Sequence, residues 1–351
     1  MRWSSCAAII VGCAALSACG DRAPADTAGA SKATGSLTTI ATRLVVPWGM
    51  AFLPDRAALV AERHSGRILR ISRFGRRKRA VMRIPGVART AGEGGLLGLA
   101  VSPEYASDGW VYAYFTTRSD NRIARFRLGG ALQPILTGLR RGPVHNGGRI
   151  AFGPDGKLYA GVGDTGDDEL AQDRGSLNGK ILRLNPDGSV PSDNPFPGSA
   201  VWSYGHRNVQ GLSWDAEGRL WATEFGQNRV DEINLIRPGR NYGWPNVEGR
   251  GSTRGGRYVN PVVTWATSEA SPSGSAIVER TMYVAALQGE AVLRVRLMGT
   301  RASKLSRVLR GRGRIRTVVR APDGALWITT SNRDGRGLPR DGDDRIMRLV
   351  P

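Results

Sequence analysis

Hydrophobic and polar positions alternate with a period of two along most of this chain, in short runs separated by turns rich in Gly, Pro and Asp. The segment 150–163 shows the pattern clearly, since an apolar run, a Pro-Asp-Gly turn and a second alternating run follow one another. Such a segment predicts a β-hairpin, because alternate side chains of a strand point to opposite faces and Pro-Asp-Gly favours a tight turn. Almost no segment shows the period of a helix, so the sequence predicts an all-β fold.

The hairpin pattern occurs six times, at a spacing of roughly 45 to 65 residues that is typical of propeller blades. The copies are 52–71, 101–128, 152–184, 214–236, 276–297 and 321–349. A β-sandwich or a β-barrel would also be all-β, but neither requires one hairpin to recur six times, whereas each propeller blade contributes one wedge around a central channel. We therefore predict a six-bladed β-propeller with four-stranded antiparallel blades over 37–351. The spare alternating segment 37–46 is predicted to close the ring by pairing with the strand that ends near Leu349.

The first 36 residues differ from the rest of the chain. Arg2, an apolar run over 3–16 and small residues before Cys19 are features of a secretory signal peptide, and the run is shorter than the about 20 residues of a membrane span. The ending Leu-Ser-Ala-Cys resembles a bacterial lipobox. This resemblance implies a signal peptide over 1–18 and an exported protein that is anchored to the cell membrane through a lipid on Cys19. The alternative is an ordinary cleavage site that ends near a cysteine.

Residues 19–36 are mostly Ala, Gly, Ser, Thr and Asp, so we predict a flexible tether. The other two cysteines lie in the predicted signal peptide, and the mature chain is therefore expected to contain no internal disulfide.

The chain has a formal net charge of +20, from 50 Lys and Arg against 30 Asp and Glu, and only five of the basic residues are lysine. Such a charge favours anionic partners. No nucleic-acid recognition motif accompanies the arginines, so we expect no nucleic-acid partner and assign most of them to a soluble, arginine-rich surface.

Unusual polar segments lie where the predicted blades begin and end. They are 92–95, 145–148, 163–164, 205–208, 224–228, 241–245 and 314–316. Loops and innermost strands of different blades line the mouth of a propeller channel, so these segments are expected to converge on one site. Of the three histidines, His64, His145 and His206, His145 precedes a predicted innermost strand, where its side chain can face that site.

Seven stretches resemble, in order along the chain, the soluble PQQ-dependent aldose sugar dehydrogenases of the glucose/sorbosone dehydrogenase family. They are PWGMAFLPD at 47–55, GEGGLLGLAVSPEY at 92–105, HNGGRIAFGPDGKLYAGVGD at 145–164, LNGKILRLNPDGSVPSDNPF at 177–196, YGHRNVQGLSW at 204–214, DEINLIRPGRNYGWPNVEG at 231–249 and RIRTVVRAPDGALW at 314–327. The resemblance implies a six-bladed propeller that binds PQQ and calcium, oxidises aldose sugars to lactones and passes electrons to an external acceptor.

The resemblance also implies roles for particular residues. In the family a histidine removes the proton from the anomeric hydroxyl of the sugar while hydride passes from the same carbon to the quinone. His145 matches that histidine, and Asp164 matches the carboxylate that orients it. A neutral imidazole, with an ordinary pKa of about 6.5, suits the role of base. The alternative for His145 is a structural histidine bonded to a backbone group.

Four further residues match positions that contact the cofactor. Arg207 and Asn208 match residues at the quinone carbonyls, where negative charge develops, so Arg207 is also a candidate catalytic residue. Arg314 and Arg316 match a pair that faces the cofactor carboxylates, and their spacing places them on one face of a strand. The alternative for this pair is ordinary surface arginine, because several other arginines surround it. His206 is predicted to be structural.

Calcium in this family is held partly by the backbone carbonyls of a Gly-Pro pair, which here reads Gly226-Gln227. Carbonyl ligation tolerates a changed side chain, although losing the proline loosens the turn. Asp231 and Glu232 either serve a calcium ion or form ion pairs at the surface, and we favour the surface pairs.

Three positions near the predicted cofactor site depart from the family pattern. Gln288 replaces the usual lysine at the cofactor, Glu93 stands where some members have glutamine, and Val144 stands where one branch has aspartate. Two alternatives therefore stay open. One is a calcium-dependent propeller lactonase that uses Glu93, Asn146, Asp164 and Asn208 around a metal. The other is a non-enzymatic propeller lipoprotein that binds glycans or cell-wall polymer through its arginines.

Overall fold

The computed structural model describes residues 35–88 and 92–351. The predicted signal peptide, Cys19 and all but the last two residues of the predicted tether lie outside the described residues.

Six four-stranded antiparallel sheets make up the fold, which confirms the predicted six-bladed β-propeller. The first strand, β1 (Leu37–Ala41), precedes blade one, which contains β2 (Pro47–Phe52), β3 (Ala58–Glu62), β4 (Arg67–Ile71) and β5 (Lys78–Arg83). Blade two contains β6 (Leu96–Val101), β7 (Val111–Thr116), β8 (Asn121–Phe126) and β9 (Gln133–Leu139). Blade three contains β10 (Ile150–Phe152), β11 (Leu158–Val162), β12 (Lys180–Leu184) and β13 (Val201–Tyr204).

The remaining three blades follow the same order. Blade four contains β14 (Val209–Trp214), β15 (Leu220–Glu224), β16 (Val230–Ile236) and β17 (Val263–Ala266). Blade five contains β18 (Pro272–Val278), β19 (Thr281–Ala286), β20 (Ala291–Met298) and β21 (Arg301–Val308). Blade six contains β22 (Ile315–Arg320), β23 (Leu326–Thr330), β24 (Ile346–Leu349) and β1. In the described part of the chain the helices are a four-residue α-helix, α1 (Tyr105–Asp108), and one 3₁₀ turn (Asp168–Ala171). Within 35–88 and 92–351 no helix has the length and hydropathy needed to cross a membrane.

The amino-terminal strand closes the ring. β1 runs antiparallel to β24, with Leu37 opposite Leu349 and Thr39 opposite Met347. It thereby becomes the outermost strand of blade six and confirms the predicted closure. Strands from opposite ends of the described chain now share one sheet, so the first and last blades are held together by backbone hydrogen bonds.

The innermost strands approach one another closely, and glycine makes this approach possible. A Cβ on Gly49 of β2 would lie 2.4 Å from the carbonyl oxygen of Leu97 in β6, and one on Gly98 of β6 would lie 2.2 Å from that of Gly148 beside β10. Both distances are shorter than any real contact. Outside this narrow centre, neighbouring blades pack through buried apolar side chains such as Tyr112 and Leu158. The result is a rigid ring that fixes the residues at the beginnings of the innermost strands.

Candidate active site

A cavity of about 460 Å³ lies among the beginnings of the innermost strands. Every blade contributes to its lining. Five of the seven polar segments supply lining residues, as predicted, whereas 163–164 and 241–245 supply none. One lining residue from each blade, in order, is Trp48, Glu93, His145, Arg207, Ser271 and Arg316.

His145 and Asp164 form a hydrogen-bonded pair at this cavity. Nδ1 of His145 lies 2.7 Å from Oδ1 of Asp164. The carboxylate is buried, whereas the imidazole keeps 14% of its surface exposed and lines the cavity. The other carboxylate oxygen, Oδ2, accepts a hydrogen bond of 2.9 Å from Nε1 of Trp244, and the backbone N–H of Gly166 donates to Oδ1 at 2.9 Å. Asp164 is therefore fixed from three directions, and it in turn fixes the histidine ring.

The backbone of His145 is also held in place. Its φ of 51° is in the left-handed region, which residues other than glycine seldom adopt. Its N–H donates a hydrogen bond of 2.8 Å to Oε2 of Glu93, and Oε1 of the same carboxylate lies 3.1 Å from a guanidinium nitrogen of Arg336. Glu93 therefore links the histidine loop of blade three to a loop of blade six.

Arginine dominates the charge of the cavity. Its lining includes Arg63, Arg207, Arg314, Arg316 and Arg336, against the carboxylates Glu93, Asp231 and Asp334. If all three carboxylates are ionised, the lining still has an excess of two positive charges. A cavity of this kind favours an anionic ligand.

The pair Arg314 and Arg316 shares one buried carboxylate. Nε of Arg314 lies 3.1 Å and a terminal nitrogen of Arg316 lies 3.6 Å from Oδ2 of Asp334. Burial alone would raise the pKa of Asp334, but the two arginines outweigh it and hold that pKa below its ordinary value. Burial lowers the pKa of Arg316 to about 9, so a second anion at this guanidinium would be stabilised.

A loop of blade four forms another wall. Nε of Arg207 donates a hydrogen bond of 2.8 Å to Oε1 of Gln227, and the N–H of Gly226 donates to Oδ1 of Asp231 at 3.0 Å. Oε1 of Glu248 accepts hydrogen bonds of 2.8 to 3.3 Å from four successive N–H groups, those of residues 227–230. These hydrogen bonds give the loop a defined backbone shape without a proline after Gly226.

Comparisons with known proteins agree with this arrangement. Residues 44–340 match the glucose/sorbosone dehydrogenase family. The chain belongs to this family. Among curated relatives, the aldose sugar dehydrogenase YliI of Escherichia coli is 31% identical over 350 residues, covering 88% of this chain and 93% of the relative. The quinoprotein glucose dehydrogenase B of Acinetobacter calcoaceticus is 34% identical over 260 residues, covering 63% of this chain and 54% of the relative.

A solved structure of a sugar dehydrogenase is also similar to this chain. The PQQ-bound aldose sugar dehydrogenase of Streptomyces coelicolor is 52% identical, with a TM-score of 0.85, and the match covers 91% of this chain and 98% of that one. The predicted resemblance is confirmed, and so is the prediction that the protein belongs to a family of sugar-oxidising oxidoreductases.

The structure brings most of the family-matched residues to the cavity lining, with three exceptions. Asp164 is buried and meets the cavity only through its hydrogen bond to His145. Asn208 is fully buried behind the lining, where its Oδ1 accepts hydrogen bonds from the N–H of Gly147 at 3.1 Å and from Nε2 of Gln210 at 3.0 Å. The side chain of Gln288 is exposed, and the neighbouring Leu287 lines the cavity instead.

The prediction of surface ion pairs for Asp231 and Glu232 is wrong. Both residues belong to β16, which lies inside blade four, and they are only 2% and 9% exposed. The oxygens of Asp231 accept from the N–H groups of Gly226 and Ser271, and those of Glu232 accept from Gly249 and Asn234. Burial raises the pKa of Asp231 to about 6.

His206 is structural, as predicted. It is fully buried, with Nδ1 at 2.9 Å from Oε2 of Glu224 and Nε2 at 2.8 Å from Oγ of Ser203. Its ring stacks on Tyr242 with the ring centres 4.7 Å apart.

Several residues of the cavity lining were not predicted from the sequence. Trp48 lies in a stretch that carries the family resemblance, yet nothing in its local pattern marks it as part of the site. Arg63, Asp334 and Arg336 lie in loops that read as ordinary charged turns. A buried aspartate between arginines becomes visible only when the loops of blades one and six are brought together.

Glu232 provides a prediction about stability and pH. Burial and the charge of Glu224 raise the pKa of Glu232 to about 8. Below a pH of about 4.3 the carboxyl group of Glu232 is protonated in both the folded and the unfolded chain, so the folded state has its full stability. Above that pH the unfolded chain releases the proton while the folded chain keeps it, and stability is lost as the pH rises through about 8. Glu232→Gln should therefore increase the free energy of unfolding by on the order of 2 kcal/mol at about pH 9 and change it little at about pH 5.

Urea denaturation of both proteins at the two pH values measures this effect. Oδ1 of Asn234 has no hydrogen-bond partner among the described residues, so a flipped Asn234 amide can accept a hydrogen bond from the glutamine. An equal change in the free energy of unfolding at both pH values would show that the raised pKa of Glu232 is not the cause.

Proposed function

We propose that the protein is a PQQ-dependent dehydrogenase that also uses calcium, oxidises aldose sugars to lactones and transfers the electrons to an external acceptor. The observation that carries the proposal is the His145–Asp164 pair at the edge of a cavity with an excess of arginine. Relatives that are named as quinoprotein glucose and aldose sugar dehydrogenases support it.

The residues around the cavity fit PQQ, which is a quinone with three carboxylates. Five arginines face three acidic side chains in the lining. Nε of Arg316, a residue of the lining, is buried and has no hydrogen-bond partner among the described residues. A buried donor without an acceptor is costly, so a ligand rich in oxygen that reached this guanidinium would be favoured. When bound, PQQ supplies a two-electron oxidant that accepts hydride from the sugar carbon.

Each part of the cavity then has a role in holding the cofactor. Arg314 and Arg316 bind its carboxylates through charge-assisted hydrogen bonds. Arg207 places positive charge where negative charge develops on the quinone oxygens. Asn208 acts from behind the lining, where its Oδ1 accepts a hydrogen bond from the N–H of Gly147 and so holds the histidine loop. Glu93 fixes the backbone of the histidine loop.

Calcium is proposed to bind the backbone carbonyls of Gly226 and Gln227. Among the described residues no three His, Cys, Asp or Glu side chains are grouped so as to hold a metal ion. Carbonyl oxygens are good calcium ligands, and the cofactor itself would complete the coordination.

His145 acts as the general base in this proposal. The hydrogen bond to Asp164 assigns the proton of the neutral ring to Nδ1, which leaves Nε2 free to accept the proton of the sugar hydroxyl. Asp164 keeps the ring in this orientation and stabilises the imidazolium that forms. Trp244 helps indirectly by holding the second oxygen of that carboxylate.

The lactonase alternative is less consistent with the site. Oδ1 of Asn146, Oδ1 of Asn208 and both oxygens of Asp164 already accept hydrogen bonds from donors of the protein. A metal bound by these atoms would have to displace those donors.

The reaction is tested by titrating the purified apo-protein with PQQ and calcium and then measuring dye-linked oxidation of several aldoses. We expect stoichiometric PQQ binding and oxidation of at least one aldose. Hydrolysis of lactones without oxidation would favour the lactonase, and glycan binding with neither activity would favour the binding module.

We also propose that the protein is exported and held at the cell membrane by a lipid on Cys19. One acyl chain gives only marginal binding, so stable attachment requires the several chains that are typical of lipoproteins. Cys19→Ser should move the protein to the soluble fraction when membranes are washed with concentrated salt, as measured by immunoblotting of the fractions. A variant that stays with the membrane after this wash would contradict lipidation at Cys19.

A further inference from the structure

The net charge of the described residues is confined to one half of the ring. Residues 35–88, which form β1 and blade one, carry eleven basic and two acidic side chains. Residues 272–351, which form blades five and six, carry sixteen basic and seven acidic side chains. Blades two to four, residues 92–271, carry nineteen of each and are therefore neutral. Blade six packs between blades five and one, so the charged blades form one continuous basic half.

Six of the 27 basic side chains of this half lie on its outermost strands, which form the exposed rim. The outer strands of blades one and five each carry three basic residues, whereas β1 of blade six and β9, β13 and β17 of the neutral blades carry no charged residue. The six basic residues are Lys78, Arg79, Arg83, Arg301, Lys304 and Arg307. None of the six forms an ion pair with a residue that the structure describes. Lysine and arginine on an edge strand can prevent aggregation. The outer strands of the neutral blades have no such residues, so prevention of aggregation does not explain the basic residues on β5 and β21.

Exposed apolar side chains are concentrated in the same half. Seven of the eight large hydrophobic residues that are exposed in the described chain belong to it, and the exception is Val190. Phe74, in the turn between β4 and β5, is 67% exposed, and the guanidinium of Arg73 lies 4.9 Å from the centre of its ring. Basic side chains interspersed with exposed aromatic and aliphatic ones are typical of surfaces that bind the headgroup region of a bilayer.

The point at which the chain enters the propeller lies within this half. The chain reaches the fold at β1, the outermost strand of blade six, between the charged outer strands β5 and β21. A tether that leads to a membrane would therefore begin in the middle of the basic rim. The cavity lies at the beginnings of the innermost strands, so contact through the rim leaves its mouth open to substrate.

We propose that the rim of blades five, six and one is a membrane-docking surface that binds anionic lipid headgroups and inserts apolar side chains such as Phe74 between them. An acidic protein that accepts electrons would have to approach the cavity rather than the outer strands, so the position of the charge favours the bilayer. This proposal does not depend on the cofactor or on the reaction.

Two quadruple variants of the full chain test the proposal, both in a Cys19→Ser background that removes the lipid. The rim variant is Arg76→Gln, Arg79→Gln, Arg301→Gln and Arg310→Gln. The matched control is Arg118→Gln, Arg229→Gln, Arg237→Gln and Arg257→Gln, which removes four exposed arginines from the neutral half. None of these eight side chains takes part in an ion pair with a described residue.

Cosedimentation with vesicles of phosphatidylcholine and phosphatidylglycerol, and with vesicles of phosphatidylcholine alone, measures the effect. The Cys19→Ser protein, which is the parent of both variants, should bind the mixed vesicles and release them at high salt. The rim variant should bind them about 10²- to 10³-fold more weakly, and the control should change by about twofold or less. An equal loss in both variants, or a parent that binds neither kind of vesicle, would overturn the proposal.

Phe74→Ser separates a bilayer from an acidic polymer as the partner. It should weaken binding to mixed vesicles about threefold, because an exposed ring loses its place among the acyl chains, and should leave binding to polyglutamate unchanged. The proposal fails if the Phe74→Ser variant and its parent bind mixed vesicles with equal affinity and the parent binds polyglutamate as tightly as it binds the vesicles. The rim would then be a site for an acidic polymer.

Discussion

Replacing His145 with glutamine should reduce kcat for aldose oxidation by about 10² to 10⁴, the usual contribution of a general base. Glutamine has a similar size and can still donate a hydrogen bond to Asp164, but it has no nitrogen that can accept a proton at neutral pH. The cofactor should remain bound with nearly unchanged affinity, because the imidazole is proposed to act on the sugar.

Steady-state kinetics with a dye acceptor, together with PQQ titration by absorbance, separates these two effects. Asp164→Asn supplies a second variant, since an amide can hold the ring in the wrong tautomer while it preserves the shape of the site. Its kcat should fall as well, with little change in PQQ affinity. If His145→Gln oxidises aldoses at the rate of the wild type, His145 is not the base.

Replacing Arg314 with alanine should weaken PQQ binding first. A charge-assisted hydrogen bond contributes about 1.5 to 3 kcal/mol, so its loss corresponds to an increase of about 10- to 150-fold in the dissociation constant. Arg314→Lys should give an intermediate value, because an ammonium retains the charge but cannot form the two parallel bonds of a guanidinium.

Arg312→Ala is a matched control, since Arg312 is exposed and lies two residues away on the same segment. Titration with PQQ, monitored by absorbance, gives the dissociation constants, and thermal denaturation shows whether Arg314→Ala folds. Equal affinities for Arg314→Ala and Arg312→Ala would show that the arginine pair does not hold the cofactor.

The ring and the general position of the site were predictable from the sequence. Six copies of one hairpin leave few folds besides a propeller, and the spare segment over 37–46 predicts the pairing with the last strand that the structure shows between β1 and β24. Most of the polar segments at blade edges converge because the ring brings the beginnings of all innermost strands together.

Contacts between distant parts of the chain were not predictable in this way. Trp244 holds Asp164 across 80 residues of sequence, and no local pattern indicates that bond. Asp231 and Glu232 resemble surface acids in the sequence and are buried only because β16 lies within blade four. The basic half was likewise not predictable from local sequence. Blade one lies at the other end of the chain from blades five and six and becomes their neighbour only when the ring closes.

The most direct test of the proposed function is rapid mixing of the PQQ- and calcium-loaded protein, without any electron acceptor, with an aldose that carries hydrogen or deuterium at C1. We predict that the absorbance of the bound quinone changes by one equivalent per protein, that deuterium slows the change, and that His145→Gln slows it for both sugars. Bound PQQ whose absorbance stays constant with every aldose would contradict the assignment of this propeller as a sugar dehydrogenase.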